Sequence, residues 1–325
     1  MTDKPNKAVS ALVAIVGPTA AGKSALGIAL ARECNGEIVC CDSTQLYRRF
    51  TIGTGKVSAA EQAGIPHHMM DLLEPPEVFT AGDYRRRAME VLEDLRRRGK
   101  LPVLTVGTGL YLRALLEGLA DAPARSEDLR ERLRKASEKR DPGYLHRVLK
   151  KMDAEAATRI GPRDTSKLIR AIEVCVLAGK PLTEIHRAGR ARLEGFVPVK
   201  IGLSPPRKEL YSRIESRVES MLAAGWMDEV KRLLDEGVSP ASKPFKFIGY
   251  SELRAHLNGV IPLAEAVKAI QQSTRRYAKR QLTWFRKEAS VYWLEGFGDD
   301  PAVLAAARTY LNEQLRPGNS FRAGA

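Results

Sequence analysis

The chain has 325 residues, of which 44% are hydrophobic and 28% charged, a balance typical of a globular protein with room for one large domain or two ordinary ones. It has no run of about 20 apolar residues such as a membrane helix needs, and its start lacks the pattern of a signal peptide, so we expect a cytoplasmic protein rather than a membrane or secreted one. The formal net charge of +14 favours a polyanionic partner. The four cysteines form no Cys-x-x-Cys pattern, which argues against a zinc site or a redox pair.

The first third of the chain alternates apolar runs with helical patterns. Six elements are predicted there, alternately strand and helix, at residues 11–16, 24–33, 37–41, 80–98, 101–106 and 110–119. Such alternation indicates a parallel sheet with helices on both faces.

The pattern changes at residue 121, after which a charged helical stretch without strand candidates runs to about residue 190. Strands return at 196–203 and 291–294, and helices are predicted at 208–224, 227–236 and 263–287. A closing helix follows the last strand and runs to about residue 315. We therefore expect an α/β fold, a P-loop NTPase-like core interrupted by an inserted all-helical domain. The predicted limits are 1–120 for the first part of the core, 121–195 for the insertion, 196–315 for the second part, and 316–325 for a loose tail.

A phosphate loop follows the first predicted strand. It reads Gly17, Pro18, Thr19, Ala20, Ala21, Gly22, Lys23, Ser24. Glycines let the backbone curl so that several N–H groups point at one anion, while the helix start and the lysine add positive charge and the serine can ligate Mg²⁺. The pattern predicts a site for a diphosphate or triphosphate, and it does not distinguish ATP or GTP from another diphosphate ester.

Two polar residues follow the other strands of the first third. Asp42 comes after the second strand, and Thr108 stands between two glycines after the third. Ligand-facing loops gather at the carboxyl edge of an open parallel sheet, so Asp42 is a candidate general base or magnesium ligand and Thr108 a candidate substrate contact. A turn-forming or capping role explains either residue equally simply. The pair His67–His68 resembles a metal site, but neighbouring residues of an extended chain point opposite ways, which favours a structural role.

Residues 274–287 hold six basic side chains, no acidic one and three aromatic ones. Basic charge interleaved with aromatic rings is typical of surfaces that bind single-stranded nucleic acid. A solvated basic helix with a buried aromatic stripe is the alternative interpretation.

Further motifs accompany the phosphate loop in a fixed order. They are Asp-Ser-Thr-Gln-Leu-Tyr at 42–47, Ile-Gly-Thr at 52–54 with Lys56, Pro-His-His at 66–68, Gly-Thr-Gly-Leu-Tyr at 107–111, Ile-Gly-Tyr at 248–250, and Tyr-Ala-Lys-Arg-Gln-Leu-Thr-Trp-Phe-Arg at 277–286. Together they resemble the tRNA dimethylallyltransferases, also called tRNA isopentenyltransferases, over residues 13–293. The absence of an appended zinc finger in this sequence favours the bacterial type.

The resemblance implies transfer of a dimethylallyl group from its diphosphate to N6 of the adenosine on the 3′ side of the anticodon. Asp42 then matches the general base and Thr108 a residue that touches the reacting groups. The backbone of residues 17–24, with Lys23, would hold the diphosphate as it leaves, and Ser24 would ligate Mg²⁺. Arg217 matches an arginine that binds diphosphate, although a surface helix charge is its simple alternative.

The resemblance also implies a surface for a tRNA anticodon stem-loop, clamped by the helical insertion, on a protein that we expect to be a monomer. The implied tRNA contacts are Asp42, Ser43, Thr44, Gln45, Thr108, Arg130, Ser166, Lys167, Leu168, Ile169, Arg170, Phe247, Ile248, Gly249, Tyr250, Ser251, Glu252, Lys279 and Arg280. Four positions depart from the family pattern, namely Cys41, Arg49, Thr51 and Val106. None of them removes a group that the chemistry needs, but together they bear on the shape of the prenyl pocket.

Two other functions use the same loop. A small-molecule or nucleotide kinase would need arginines aimed at a γ-phosphate and has no use for the basic–aromatic segment at 274–287. A non-enzymatic RNA-binding NTPase switch would need a strand ending in a magnesium-binding Asp of the usual type, which the sequence does not obviously offer.

Overall fold

The computed structural model describes residues 9–316. Its sheet has six strands, all parallel: β1 Ser10–Val16, β2 Gly36–Cys41, β3 His67–His68, β4 Leu101–Val106, β5 Phe196–Leu203 and β6 Val291–Leu294. The sheet confirms the predicted α/β class. Every residue of β2 and five of the seven in β1 are buried, as continuous apolar strands of a parallel sheet require.

The strands follow the spatial order β3-β2-β4-β1-β5-β6. The chain leaves β1 toward one edge of the sheet, returns through β4, and then crosses β1 to build the other edge. The point where the order reverses lies beside β1, and ligands of open α/β sheets bind there, at the carboxyl ends of the strands. Because β4 lies between β1 and β2, the loops after these three strands are neighbours.

Within residues 9–316 the helices fall into two compact units, one formed by the chain up to residue 116 and again from residue 194, the other by residues 117–193. Helices of the first unit are α1 Lys23–Glu33, α2 Ala81–Arg97, α3 Gly109–Glu117, α9 Arg207–Ala223, α10 Trp226–Asp235, α11 Tyr250–Leu257, α12 Leu263–Phe285 and α13 Pro301–Leu315. Those of the second are α4 Glu127–Glu138, α5 Tyr144–Met152, α6 Ala154–Arg159, α7 Thr165–Ala178 and α8 Leu182–Arg187. Across residues 9–316, none of the helices is both long and apolar enough to cross a membrane.

The second unit has its own core. Leu145, Leu149, Leu168 and Ile172 from α5 and α7 form a buried cluster, against which the short helix α6 packs. Glu173 of α7 is buried beside this core.

Most predicted elements agree with the structure to within two residues, whereas the strand β3, the helix α11 and a 3-10 helix at Lys243–Lys246 were not predicted. The strand β3 has only two residues, too few to show a period of two. Helix α11 starts directly after Gly249, whose φ of 92° suits glycine, and a stretch of eight residues carries little helical periodicity. The predicted loose tail falls, after residue 316, outside the described residues.

Candidate active site

The phosphate loop joins β1 to α1 with a tightly curled backbone. Gly22, the residue before the helix, has a φ of 84°, and Ala20 also lies in the left-handed region at 64°. A methyl group on Gly22 would overlap the backbone of Gly298, whose N–H donates a 2.8 Å hydrogen bond to the Ala21 carbonyl. The loop after β6 therefore supports the phosphate loop from behind, while the first turn of α1 presents free N–H groups.

Lys23 lies in the first turn of α1 with its ammonium folded back over the loop. Its Nζ donates hydrogen bonds to the carbonyls of Gly17 at 3.1 Å and Pro18 at 2.7 Å. Burial lowers the pKa of Lys23 to about 8, with the positive charge of Arg217 adding to the decrease and the negative charge of Asp42 opposing it. Without a bound anion, this ammonium is therefore mostly charged at neutral pH and loses its proton as the pH rises through about 8.

This pKa predicts the pH dependence of anion binding. We expect the affinity for inorganic diphosphate to fall as the pH rises through about 8, because Lys23 then loses the charge that attracts the anion. Isothermal titration at several pH values measures this fall. Diphosphate itself titrates in the same range, so the control is Lys23→Arg, whose guanidinium stays charged. An identical pH profile for both proteins would contradict the prediction.

The lowered pKa of Lys23 affects stability in the opposite direction to anion binding. Between pH 8 and 10.5 the unfolded chain binds the Lys23 proton more tightly than the folded one does, so the Lys23 contribution to the free energy of unfolding rises with pH in that window. Anion binding and stability of the free protein thus respond to this proton in opposite directions.

Asp42 directly follows β2 and faces the loop after β4. Its Oδ1 accepts hydrogen bonds from the Thr44 N–H at 2.8 Å and the Thr44 hydroxyl at 2.7 Å. Its Oδ2 lies where a Cβ on Gly107 would be, so only glycine leaves room for this rotamer. One carboxylate oxygen is thus held by the protein, and the other makes no hydrogen bond to any residue in 9–316.

Thr108 lies beside Asp42 and joins the same two loops. Its hydroxyl accepts a hydrogen bond from the Ser43 N–H at 3.0 Å and lies 3.2 Å from the Ser43 hydroxyl. The N–H groups of Gly107 and Thr108 both donate to the Cys41 carbonyl at 3.0 Å. Thr108 therefore fixes the loop that carries Asp42.

Gln281 and Tyr277 of α12 also belong to the site, and neither was predicted as a site residue. The Gln281 side-chain oxygen accepts the Thr19 N–H at 2.7 Å, and its amide donates to the Gly107 carbonyl at 2.8 Å. The Tyr277 hydroxyl donates to the same carbonyl at 3.1 Å, and burial, reinforced by the charge of Asp42, raises its pKa, which keeps it protonated. The sequence signals for them were their place among the charges of 274–287 and in the family motif at 277–286, neither of which gives either side chain a role.

These groups open into a cavity of about 910 Å³ within the first unit. Its lining includes the phosphate loop, Asp42 and Gly107, together with Arg213 and Arg217 of α9. Arg213 forms a two-point ion pair with Asp299. Arg217 has an exposed side chain, packs against Gly55, and makes no hydrogen bond or ion pair to the part of the chain that the structure describes.

The pKa of Arg217 reflects its place in the cavity wall. Surrounding protein lowers its pKa by desolvation, the charge of Arg213 adds to the effect, and the charge of Glu61 opposes it. Arg217 therefore presents a positive charge, with no ion pair in the described residues, to the cavity that also holds Lys23 and Asp42. Such a charge suits an anionic ligand.

The donor set at Ser24 fits a magnesium site of the kind that relies on substrate oxygens. Mg²⁺ is usually held by one or two protein oxygens together with phosphates and water. The Ser24 hydroxyl lines the cavity and makes no hydrogen bond within residues 9–316, and the second oxygen of Asp42 lies in the same cavity. The described residues contain no group of three His, Cys, Asp or Glu side chains that would hold a metal alone.

The histidine pair after residue 66 forms hydrogen bonds within the sheet edge. His67 contacts the Ile65 carbonyl at 2.8 Å, and burial lowers its pKa. His68 contacts Glu37 at 2.7 Å, a carboxylate whose pKa Arg98 lowers to about 2. Both rings are thus engaged by the protein.

The predicted tRNA residues of the first unit have different surroundings. Lys279 and Arg280 are exposed on α12 and form no ion pair within the described chain. Gln45 donates to the carbonyl of Gly55 at 3.2 Å, on the cavity wall.

All residues of the segment 247–252 are buried or half-buried, so the segment packs in the interior and leaves little surface exposed. Tyr250 is completely buried, and Gly249 packs against the ring of Trp226. Phe247 and Ile248 are half-buried, and Ser251 donates to Glu252 at 2.6 Å.

In the second unit, two of the predicted tRNA residues are side chains of the core. Leu168 and Ile169 are buried, while Ser166 and Lys167 at the start of α7 are exposed.

The predicted arginines of this unit are paired with a buried carboxylate. Arg130 forms two 2.8 Å hydrogen bonds to Glu173, and Arg170 contacts the same group at 2.6 Å. Burial raises the pKa of Glu173, but the two guanidinium groups outweigh it and lower the pKa to about 2. The guanidinium groups of Arg130 and Arg170 therefore already have a structural function.

The four departures from the family pattern affect the cavity little. Cys41 and Val106 are completely buried within strands, and Arg49 forms an ion pair with Glu236. Within the described residues, Thr51 alone of the four lines the cavity.

Comparison with known proteins agrees with this geometry. The IPP transferase family model matches residues 45–288. A tRNA dimethylallyltransferase of Koribacter versatilis is 50% identical over 296 residues, 91% of this chain and 96% of the relative. One of Solibacter usitatus is 46% identical with the same coverage.

Solved structures are also similar to this chain over nearly its whole length. The tRNA isopentenylpyrophosphate transferase of Bacillus halodurans has 37% identity and a TM-score of 0.68, with 94% of this chain and 98% of that chain covered. A eukaryotic dimethylallyltransferase acting on tRNA has 28% identity and a TM-score of 0.81, with 96% and 82% covered. The family match spans more than half of the chain, and the relatives span nearly all of it, so the chain belongs to the IPP transferase family.

Proposed function

We propose that the chain transfers a dimethylallyl group from dimethylallyl diphosphate to N6 of the adenosine on the 3′ side of the anticodon in tRNA. The observation that carries the proposal is one cavity shared by an anion cradle, two cationic side chains and a carboxylate with a free oxygen. A diphosphate ester fits the cradle, and an amine that must lose a proton fits the carboxylate.

In this reaction the N6 amine attacks the allylic carbon, and the bond from that carbon to the diphosphate oxygen breaks. The proton of the amine passes to the free Oδ2 of Asp42. The electron pair of the broken bond leaves with the diphosphate. The N–H groups of the phosphate loop, the Lys23 ammonium and the Arg217 guanidinium stabilise that growing negative charge.

The hydrogen-bonded loops keep these groups in place. Thr44 holds Oδ1 of Asp42, and Thr108 holds the chain that carries it. Magnesium, held by Ser24 and the diphosphate oxygens, would add further charge neutralisation on the leaving group.

Recognition of the acceptor requires an unpaired adenine, because a base reacts at its exocyclic amine only when it is out of the stack. The proposed RNA surface of the first unit is the exposed side of α12 with Lys279 and Arg280. In the second unit, Ser166 and Lys167 are the exposed candidates, and we propose that this unit clamps the stem-loop. We further propose that the enzyme acts in the cytoplasm as a monomer.

Replacing both Lys279 and Arg280 by Ala should weaken binding of an anticodon stem-loop. The slope of log K against log salt is negative, and each lost phosphate contact makes it less negative by roughly 0.7 to 0.9, so the double variant should reduce its magnitude by about 1.4 to 1.8. Fluorescence anisotropy at several salt concentrations measures it. The exposed Lys231 on α10 provides the control, Lys231→Ala, and an unchanged slope in the double variant would exclude this face of α12 from the interface.

The proposed reaction is tested by incubating radioactive dimethylallyl diphosphate with a synthetic anticodon stem-loop, with Mg²⁺ and without ATP. We expect label on the adenine N6. No transfer to any stem-loop, together with ATP hydrolysis or phosphorylation of a small molecule, would contradict the proposal and favour a kinase.

A further inference from the structure

One wall of the cavity is a loop without regular structure, residues 51–58. Thr54, Gly55, Lys56, Val57 and Ser58 all line the cavity. Gly55 lies directly against Arg217, because a Cβ on Gly55 would overlap the Arg217 guanidinium. The position of this loop therefore sets where the free guanidinium can lie.

A buried carboxylate holds the beginning of the loop. Glu229 of α10 is 3% exposed, and its Oε2 accepts the N–H groups of Thr51 at 3.0 Å and Ile52 at 2.8 Å. Its Oε1 accepts the Tyr250 hydroxyl at 2.6 Å and, more weakly, the Gly53 N–H at 3.4 Å. No cation pairs with Glu229 in residues 9–316, so hydrogen bonds alone compensate its charge.

The indole of Trp226, one turn before Glu229, holds the same loop by contact. A Cβ on Gly53 would overlap the ring at Nε1, Cε2 and Cζ2, and a Cβ on Gly249 would overlap it at Cζ2 and Cη2. Two glycines from separate motifs, Ile-Gly-Thr and Ile-Gly-Tyr, thus pack against one tryptophan. Tyr250 of the second motif also donates to Glu229, so both motifs meet at α10.

The other end of the loop is held by Gln45, three residues after Asp42. The Gln45 amide donates to the carbonyls of Thr54 at 3.5 Å and Gly55 at 3.2 Å. Between Glu229 at one end and Gln45 at the other, the backbone facing Arg217 is fixed.

We propose that Glu229 is a positioning residue of the donor site, which acts through the backbone of residues 51–55 to place the Arg217 guanidinium toward the diphosphate. Glu229 touches neither the cavity nor any reacting atom. The inference rests on the proposed function for the identity of the donor, although its diphosphate-binding part does not need that function.

The first test compares Glu229→Ala with the wild-type protein. Without the carboxylate the loop loses its acceptor, and we expect the Kd for inorganic diphosphate and the KM for dimethylallyl diphosphate to rise on the order of 10- to 100-fold. The kcat and the KM for the stem-loop should change much less, because Asp42 is held by Thr44 and Thr108. The tryptophan emission of the protein, to which Trp226, Trp284 and Trp293 all contribute, should shift to longer wavelength as the loop moves away from Trp226.

Two further variants distinguish positioning from a general loss of structure. In Glu229→Gln the amide oxygen can still accept from Thr51 and Ile52, and the amide nitrogen can donate to the Tyr250 oxygen, so donor affinity should be largely restored. Tyr250→Phe removes one donor but keeps the ring, and should raise the diphosphate Kd severalfold. Asp235→Asn, an exposed acid on the same helix, is the control and should bind diphosphate as the wild type does.

The outcomes separate this inference from the proposed function. If wild-type protein transfers no dimethylallyl group, the proposed function fails, and the diphosphate Kd values still test Glu229. If Glu229→Ala binds diphosphate as the wild type does, or loses donor affinity, stem-loop affinity and kcat by equal factors, Glu229 is not a positioning residue. A Glu229→Gln variant as defective as Glu229→Ala would overturn the inference as well.

Discussion

Asp42→Asn should lower turnover by roughly 10²- to 10⁴-fold while leaving both substrates bound, because an amide cannot take the proton from the attacking amine. The amide oxygen can still accept both hydrogen bonds from Thr44, so the loop keeps its shape. Single-turnover transfer of label from dimethylallyl diphosphate, with separate Kd values for donor and stem-loop, measures the two effects independently.

The control for this variant is Thr44→Val, which removes the hydroxyl donor and keeps the carboxylate. It should lower turnover less than Asp42→Asn does, since the Thr44 N–H still holds Oδ1. Turnover at the wild-type level in Asp42→Asn would remove Asp42 as the base. The remaining assignment of the diphosphate cradle would stand, because it depends on other residues.

Gly107→Ala should be nearly as damaging, although it changes no group that takes part in the chemistry. Gly107 does not have a positive φ, so alanine fits its backbone conformation. The added methyl group would, however, overlap Oδ2 of Asp42 and force the carboxylate out of position. A displacement of about 1 Å costs on the order of 100-fold in rate, so we expect a fall of that size in kcat with diphosphate binding unchanged.

The matched control is Gly161→Ala, which adds the same methyl group where there is open space around it. It should melt at the same temperature as the wild type and turn over normally. Turnover of Gly107→Ala close to that of the wild type would show that Asp42 does not need the rotamer seen in the structure. A lower diphosphate affinity in Gly107→Ala would instead place Gly107 in the phosphate cradle.

The sequence predicted those parts of the site that depend on short-range patterns. The phosphate loop follows from glycine spacing between a strand and a helix, and the end of β2 placed Asp42 at the carboxyl edge of the sheet. The loop after β4 lies between the phosphate loop and Asp42. Only the strand order shows this, because hydrophobic patterns do not say which strands pair. Arg217 was identified through the family resemblance alone.

The residues that were missed are buried polar side chains whose partners are distant in the chain. Gln281 accepts from Thr19 across 262 residues, and Glu229 accepts from Thr51 across 178. No local period or spacing marks such a pair, and each side chain taken alone has the sequence context of an ordinary helix surface. The motifs around Gly53 and Gly249 were noticed, but their shared contact, the Trp226 ring, appears only in three dimensions.

Helix α12 has one side that faces the site and another that faces solvent. At a rise of about 1.5 Å per residue, its 23 residues form a rod roughly 34 Å long. Gln281 holds the donor loop at Thr19 and the loop beside the base at Gly107, whereas Lys279 and Arg280 on the same rod face solvent. Gln281 therefore joins the donor loop to the loop beside the base, and Tyr277 of the same helix adds a second hydrogen bond to Gly107. A partner that binds the outer face of α12 thus touches the same rigid element that joins the two inner loops.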